Sequence, residues 1–266
     1  MLSNLHQHTT FCDGSSTAEE VILSALEKGF SSIGFSGHGY TPFALEYCMK
    51  DTEGYIAEIT GLKEKYKRDI EVYLGCEEDI FHPCDRSRFE YIISSSHYFF
   101  KDGKYYPIDS GLDCMIKCLE LFNGDIVALA DKYYSQFVGY IKKRKPDIIG
   151  HFDLITKFEE VGAPTFLNNE KYNKLAAAYL LEACKADSIF EVNTGAISRG
   201  YRTLPYPDEK LLHILKKENA KITISADCHH KDTVDCFFPE TRKLLKDIGF
   251  EYIWQLYGGE FVKDYL

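Results

Sequence analysis

The chain has 266 residues, 45% of them hydrophobic, with 31 basic and 41 acidic side chains for a formal charge of −10. That length fits two ordinary domains or one α/β barrel of about 250 residues, and a surface this negative argues against nucleic acid as a partner. Nine cysteines without regular spacing do not read as a disulfide framework. No apolar stretch approaches the roughly 18 residues needed to span a bilayer, and no basic and apolar leader precedes Leu5. A cytoplasmic protein with reduced thiols and no membrane partner is expected.

In chain order, the β-type runs are Leu2–His6, Ser32–Ser36, Glu71–Gly75, Tyr91–Ser95, Asp147–Gly150, Ser188–Val192, Lys221–Ser225 and Glu251–Leu256. Helical patterning falls between them. Thr17-Ala-Glu-Glu20 has the form of a capping box, Gly29 closes the helix it opens, and Lys63–Lys67, Lys171–Lys185, Asp208–Lys217 and Glu240–Lys246 follow. Strand–helix alternation implies parallel strands joined by crossover helices. No linker or repeat divides the chain, so residues 1–266 read as a single domain. The interval between His97 and His151 is too long for one crossover. It carries a Tyr-rich turn at Asp102–Pro107 and helical runs at Leu112–Phe122 and Ile126–Lys142, and a lid-like insertion at about 98–146 is expected. The basic run Lys142–Lys145 reads as the solvated end of a helix stopped by Pro146.

Seven of the nine histidines fall where a β-type run ends, most with a carboxylate close by. His6 and His8 end the first run, His38 follows the second, Glu77 the third, His97 the fourth and His151 the fifth, while Asp227, His229 and His230 follow the seventh. Residues two apart in an extended segment point the same way, so His6 with His8, and Asp227 with His229, can reach one point while Gln7 and Cys228 turn aside. Histidine and carboxylate suit Zn, Fe or Mn. More ligands than one structural ion needs implies a catalytic cluster at the C-terminal ends of barrel strands.

A lone histidine in a strand is more often a packed core residue than a ligand, and that reading holds for His82 and His213. For seven together at strand ends, coincidence is the weaker account. Glu77 and Asp227 directly follow apolar runs, where a buried charge needs a metal or a cation. Cys76 and Cys228 are expected to pack, and Cys12 is open. Arg199 and Arg202 follow the sixth run at the same rim. Each alone is as readily a surface arginine paired with an acid, but beside the metals both are expected to grip a phosphate.

His6-Gln-His8-Thr with Cys12-Asp13-Gly14, Ser36-Gly-His38, Gly75-Cys-Glu77, Ser96-His97, Ile149-Gly-His151-Phe-Asp153 and Ser225-Ala-Asp-Cys-His229 occur in that order. The set resembles the PHP (polymerase and histidinol phosphatase) family of metal-dependent phosphoesterases. Cys12 stands where the family has serine, and Gly37 where it often has an acid. The resemblance implies an α/β fold, a distorted (β/α)7 barrel, with Glu251–Leu256 as an appendage. It implies three metal ions, the first on His6, His8, Glu77 and Asp227, the second on Glu77, His97 and His151, and the third on Asp13, His38 and His229. The long insertion, Asn193-Thr194 followed by arginine, and Tyr206-Pro207 resemble the histidinol-phosphate phosphatase branch. The expected activity is therefore hydrolysis of a small phosphate monoester, L-histidinol phosphate, to L-histidinol and phosphate in histidine biosynthesis. Glu77, Asp227 and Arg199 are its expected catalytic residues. His230 or a metal-bound water would protonate the leaving group. A nucleotide or another small ester as substrate, and a metal-binding module without catalysis, are the alternatives.

Overall fold

The computed structural model describes residues 2–162 and 165–266; Met1, from which the leader reading began, lies outside them. Seven strands form one sheet in the order β1 (Ser3–Asn4), β2 (Ser32–Phe35), β3 (Glu71–Asp79), β4 (Tyr91–Ser95), then β7 (Ile148–Ile149), β8 (Ile189–Asn193) and β9 (Ile222–Ser225), with each neighbouring pair parallel. The sheet all but closes. Beyond β1 and β9, Gln7 lies opposite Cys228, the His8 amide donates to the Cys228 carbonyl at 2.8 Å, and the Cys228 amide donates to the His6 carbonyl at 3.1 Å. This is the distorted (β/α)7 barrel.

Crossover helices α1 (Ala18–Glu27), α2 (Thr52–Tyr66), α5 (Glu170–Cys184) and α7 (Glu209–Lys217) connect the strands, α8 (Phe238–Ile248) follows the last of them, and a single turn, α6 (Gly195–Ser198), follows β8. The Thr17 hydroxyl accepts from the Glu20 amide while the Glu20 carboxylate accepts from the Thr17 amide, and Gly29, at φ 76°, ends the first helix. That is the reciprocal cap the sequence predicts. Between β4 and β7 the chain forms a hairpin, β5 (Tyr98–Lys101) with β6 (Lys104–Pro107), then helices α3 (Leu112–Glu120) and α4 (Ile126–Arg144). The expected Tyr-rich turn is thus half of a hairpin.

Two readings are corrected, those of β3 and of the basic run, and the appendage is borne out. Strand β3 runs on to Asp79, because its first half pairs with β2 and its second half, from Gly75, pairs with β4; Glu77 therefore lies within a strand. The run Glu251–Leu256 is outside the barrel sheet, since β10 (Tyr252–Tyr257) pairs antiparallel with β11 (Glu260–Tyr265). The basic run is not wholly solvated. Arg144 turns inward, donating from Nε and Nη2 to the fully buried Glu78 at 2.9 and 2.7 Å.

The C-terminal hairpin plugs the N-terminal end of the barrel. Leu256 packs with Leu5, Tyr73, Tyr91, Ile93, Ile148 and Ile189, each worth about 1.5–3 kcal/mol when fully buried if aliphatic. Tyr91 crosses the barrel interior to donate to the Leu5 carbonyl at 2.5 Å. A side chain at Gly75 would put its Cβ 2.3 Å from that ring, so only glycine fits there. With this end filled, the open end is the one where the strands finish.

Candidate metal centre and active-site cavity

Six strand ends deliver His6, His8, His38, Glu77, His97, His151, Asp227 and His229 to one place, and Asp13 reaches it from the loop after His8. Glu77 is at the centre. Its Oε1 lies 3.2 Å from His151 Nε2 and 3.5 Å from His97 Nε2; its Oε2 lies 2.9 Å from His38 Nδ1, 3.2 Å from His6 Nε2 and 3.5 Å from His8 Nε2. Asp227 Oδ1 faces His8 Nε2 at 3.2 Å and His229 Nδ1 at 3.6 Å, while Asp13 Oδ2 faces His229 Nε2 at 3.2 Å and His38 Nε2 at 3.6 Å.

These atoms fit metal ions. His6 Nε2, His8 Nε2 and Glu77 Oε2 are buried without hydrogen-bond partners, a loss that buried polar atoms rarely tolerate unless something else binds them. Ligand atoms converge in three groups: His8 with Asp13, His38 and His229; His6 with His8 and Glu77; and His38 with Glu77 and His97. His8, His38 and Glu77 are shared, so the three sets expected from the resemblance overlap more than position alone suggested.

The carboxylates and rings also act on one another as charges. Burial would lower His6 and His38, but Glu191 and Glu77 act on His6, and Asp13 and Glu77 on His38, and hold both well above the usual histidine range. Burial and the neighbouring His229 and His38 push His8 down to about 3, leaving a neutral ring ready to donate a lone pair. Burial would raise Glu77, yet His6, His38 and His97 hold it well below the carboxylate range; for Asp227 the same burial is overcome first by Arg199.

Two supporting carboxylates escaped the sequence reading. Glu191, on β8, accepts from His6 Nδ1 at 2.5 Å, from the His151 amide at 2.7 Å, and from Asn193 and Ser225. Asp79 accepts from the His97 amide at 3.2 Å. Such partners fix the orientation of ligating rings. Glu191 could have been found as a charge inside an apolar run, by the argument used for Glu77. Cys228 and Cys76 are buried off the cluster, as expected, and Cys12 stands behind His8 with Sγ 3.5 Å from Nδ1.

The substrate-side residues fare unevenly. Arg199 reaches the site, donating to Asp227 Oδ2 at 3.0 Å and to the Asp227 carbonyl at 3.1 Å, with Nη1 3.0 Å from His229 Nδ1. Gly195 makes this possible, since a Cβ there would meet Asp227 and Arg199 at 2.8 and 2.9 Å. Arg202 does not line the cavity: it is 4% exposed, donates to Thr156 Oγ1 at 2.6 Å and lies over the Tyr206 ring. His230 is also turned away. It is exposed, its Nδ1 accepts from the Asp232 amide, and it caps the short turn Lys231–Thr233. Six of the seven histidines converge; His230, one residue past His229, has its ring directed to solvent.

The cluster floors a cavity of about 430 Å³. Its wall includes Arg199, Asp227, Glu46, Tyr47, Asp109, Ser110, Lys157 and Tyr201. Asp109 and Ser110 come from the link between β6 and α3. Lys157 Nζ donates to the Asp109 carbonyl at 2.9 Å and Oδ2 at 3.3 Å. Burial would raise Asp109, but Lys157, His97 and His151 keep it below its usual value.

The PHP domain model matches residues 4–195. The chain belongs to the PHP family. The match stops short of Asp227 and His229, which the fold nevertheless brings to the same cluster. Among curated proteins, the chain is 26% identical over 269 residues to the "Probable histidinol-phosphatase" of Schizosaccharomyces pombe, covering 92% of this chain and 86% of that one. It is also 26% identical over 254 residues to the histidinol-phosphatase of Bacillus subtilis, covering 86% and 94%. The histidinol phosphate phosphatase of Lactococcus lactis, crystallised with zinc, L-histidinol and phosphate, shares the fold at a TM-score of 0.68 and 17% identity, with 98% of each chain covered.

Proposed function

We propose that this PHP protein is a phosphomonoesterase that hydrolyses L-histidinol phosphate to L-histidinol and inorganic phosphate, and so serves histidine biosynthesis. The observation that carries the reading is Glu77 between two groups of histidines on the floor of a cavity that also exposes a guanidinium. The histidinol-phosphatases to which it is similar along nearly its whole length choose among phosphate esters.

Three ions of zinc, iron or manganese type would be held by His6, His8, Asp13, His38, Glu77, His97, His151, Asp227 and His229, with Glu77 shared. When bound, they would supply Lewis-acid charge and a water of lowered pKa. The chain's own residues do the rest. Glu191 holds the His6 ring and the His151 backbone in place. Asp227 orients Arg199, whose guanidinium lies at the cavity wall where phosphoryl oxygens would collect charge. No protein nucleophile is required.

The test is phosphate release by metal-loaded protein from L-histidinol phosphate, a nucleoside monophosphate and simple alkyl phosphates. Preference for histidinol phosphate by at least about 10²-fold in kcat/KM supports the reading. Preference for the nucleotide assigns the alternative substrate, and no release from any ester leaves only metal binding. The open cavity disfavours that last outcome, because a storage site would close its ligand shell.

A further inference from the structure

The cavity lining has its own chemistry. A phosphate ester bound with its head at the cluster and Arg199 leaves its alcohol portion to the rest of the cavity lining, which includes Asp109, Ser110, Tyr47 and Glu46. Asp109 is fixed there. Lys157 binds its backbone carbonyl and Oδ2, which ties the link between β6 and α3 to the loop after β7. This leaves Oδ1 without a protein partner among the described residues, on a cavity-lining side chain. Glu46, which is exposed, adds a second carboxylate to the lining. The cavity lining thus combines a cluster and a guanidinium suited to an anion with carboxylates that present anionic oxygen.

We propose that Asp109 determines substrate specificity by holding the ammonium group of an amino-alcohol phosphate. The inference rests on the histidinol-phosphate reading and adds which residue recognises the amine. A carboxylate in this place does two things. It accepts a charge-assisted hydrogen bond from a cation carried a few bonds from the ester oxygen. It also repels esters that carry a second anion, which is how an active site rejects wrong substrates. Lys157 holds the carboxylate in position and partly offsets its charge.

The experiment compares L-histidinol phosphate with its des-amino analogue, 3-(imidazol-4-yl)propyl phosphate, on the zinc-loaded full chain. Asp109→Asn keeps the shape and removes the charge. We expect it to lower kcat/KM for the amino substrate by roughly 10- to 100-fold, mainly through KM, the scale of one hydrogen bond to a charged group. Turnover of the des-amino ester should change less than about threefold. Asp109→Glu should recover part of the discrimination, and bound zinc should equal wild type in both variants. Equal losses on both esters would show that Asp109 serves the cluster or the fold, and unchanged kinetics on both would show that the amine binds elsewhere; either result overturns the proposal. If wild type cleaves neither ester, the histidinol-phosphate reading itself fails, and this assignment with it.

Discussion

Arg199 clamps Asp227 at two points, its Nη2 on Oδ2 at 3.0 Å and its Nη1 on the main-chain carbonyl at 3.1 Å, while Asp227 Oδ1 is left to face His8 and His229. Asp227 sits in the left-handed region at φ 47°, a conformation aspartate and asparagine tolerate better than most residues. One arginine thus holds a carboxylate that faces the histidine cluster and also lines the cavity. Arg199→Ala should lower kcat/KM by roughly 10²–10³-fold, the scale of losing a well-placed electrostatic donor. Lysine should rescue only part, since a point charge cannot span both contacts. Activity within about threefold of wild type would remove Arg199 from phosphate recognition.

The division of Glu77's oxygens between two histidine groups leads to a second expectation. Glu77→Gln should lose bound metal and nearly all turnover together. Asp187→Asn, at an exposed turn with φ 59°, should change neither. Metal analysis alongside the phosphate assay decides it: full metal content with normal rate in the glutamine variant is incompatible with a bridging role.

Glu191 is buried and accepts from four groups, two of them on His6 and His151 of the centre. Glu191→Gln should weaken metal affinity or activity by about 10- to 100-fold, as loss of an outer partner of a ligating histidine usually does. Zinc competition against a chromogenic chelator measures this directly, and an affinity equal to wild type would make Glu191 a packing residue.

His6 and His38 are held above the usual histidine range by their carboxylate neighbours, so near neutral pH they keep protons that a metal must displace. With folded pKa values raised, their contribution to the metal-free fold is complete below the unfolded value and lost as pH rises through the folded one. Zinc binding near pH 7 should therefore release protons. Calorimetry in two buffers of different ionisation enthalpy counts them, and a count of zero would contradict this charge assignment.

Arg202 and Arg144 are expected to act on stability. Arg144 is the bidentate partner of a carboxylate with no exposure, so Arg144→Met should cost about 3 kcal/mol, the low end for stripping a buried charge of its partner, given that Arg144 is itself 22% exposed. Arg202→Ala should likewise lower the urea midpoint, leaving kcat within about threefold. A normal midpoint with a collapsed kcat for Arg202→Ala would return that residue to the substrate site.

The sequence alone determined the alternation, the order of the candidate ligands and hence the barrel and the rim at which they gather. A parallel strand has a fixed direction and its end is marked by the last apolar residue, so the order of runs is enough to place His6, His38, His97 and His151 at one rim. Within the strands periodicity falls silent. Strand β8 is buried at every position, which hides that Glu191 faces the centre. Loops carry no period at all, and there only tertiary packing decided. It turned Arg199 in to Asp227, Arg202 down onto Tyr206 and Thr156, and His230 out to solvent, though all three follow strand ends. It also drew Arg144 to Glu78 and brought Asp109 to the cavity from a link whose sequence names no site. Contacts between residues dozens of positions apart are set by how the elements pack, and a local pattern holds no record of them.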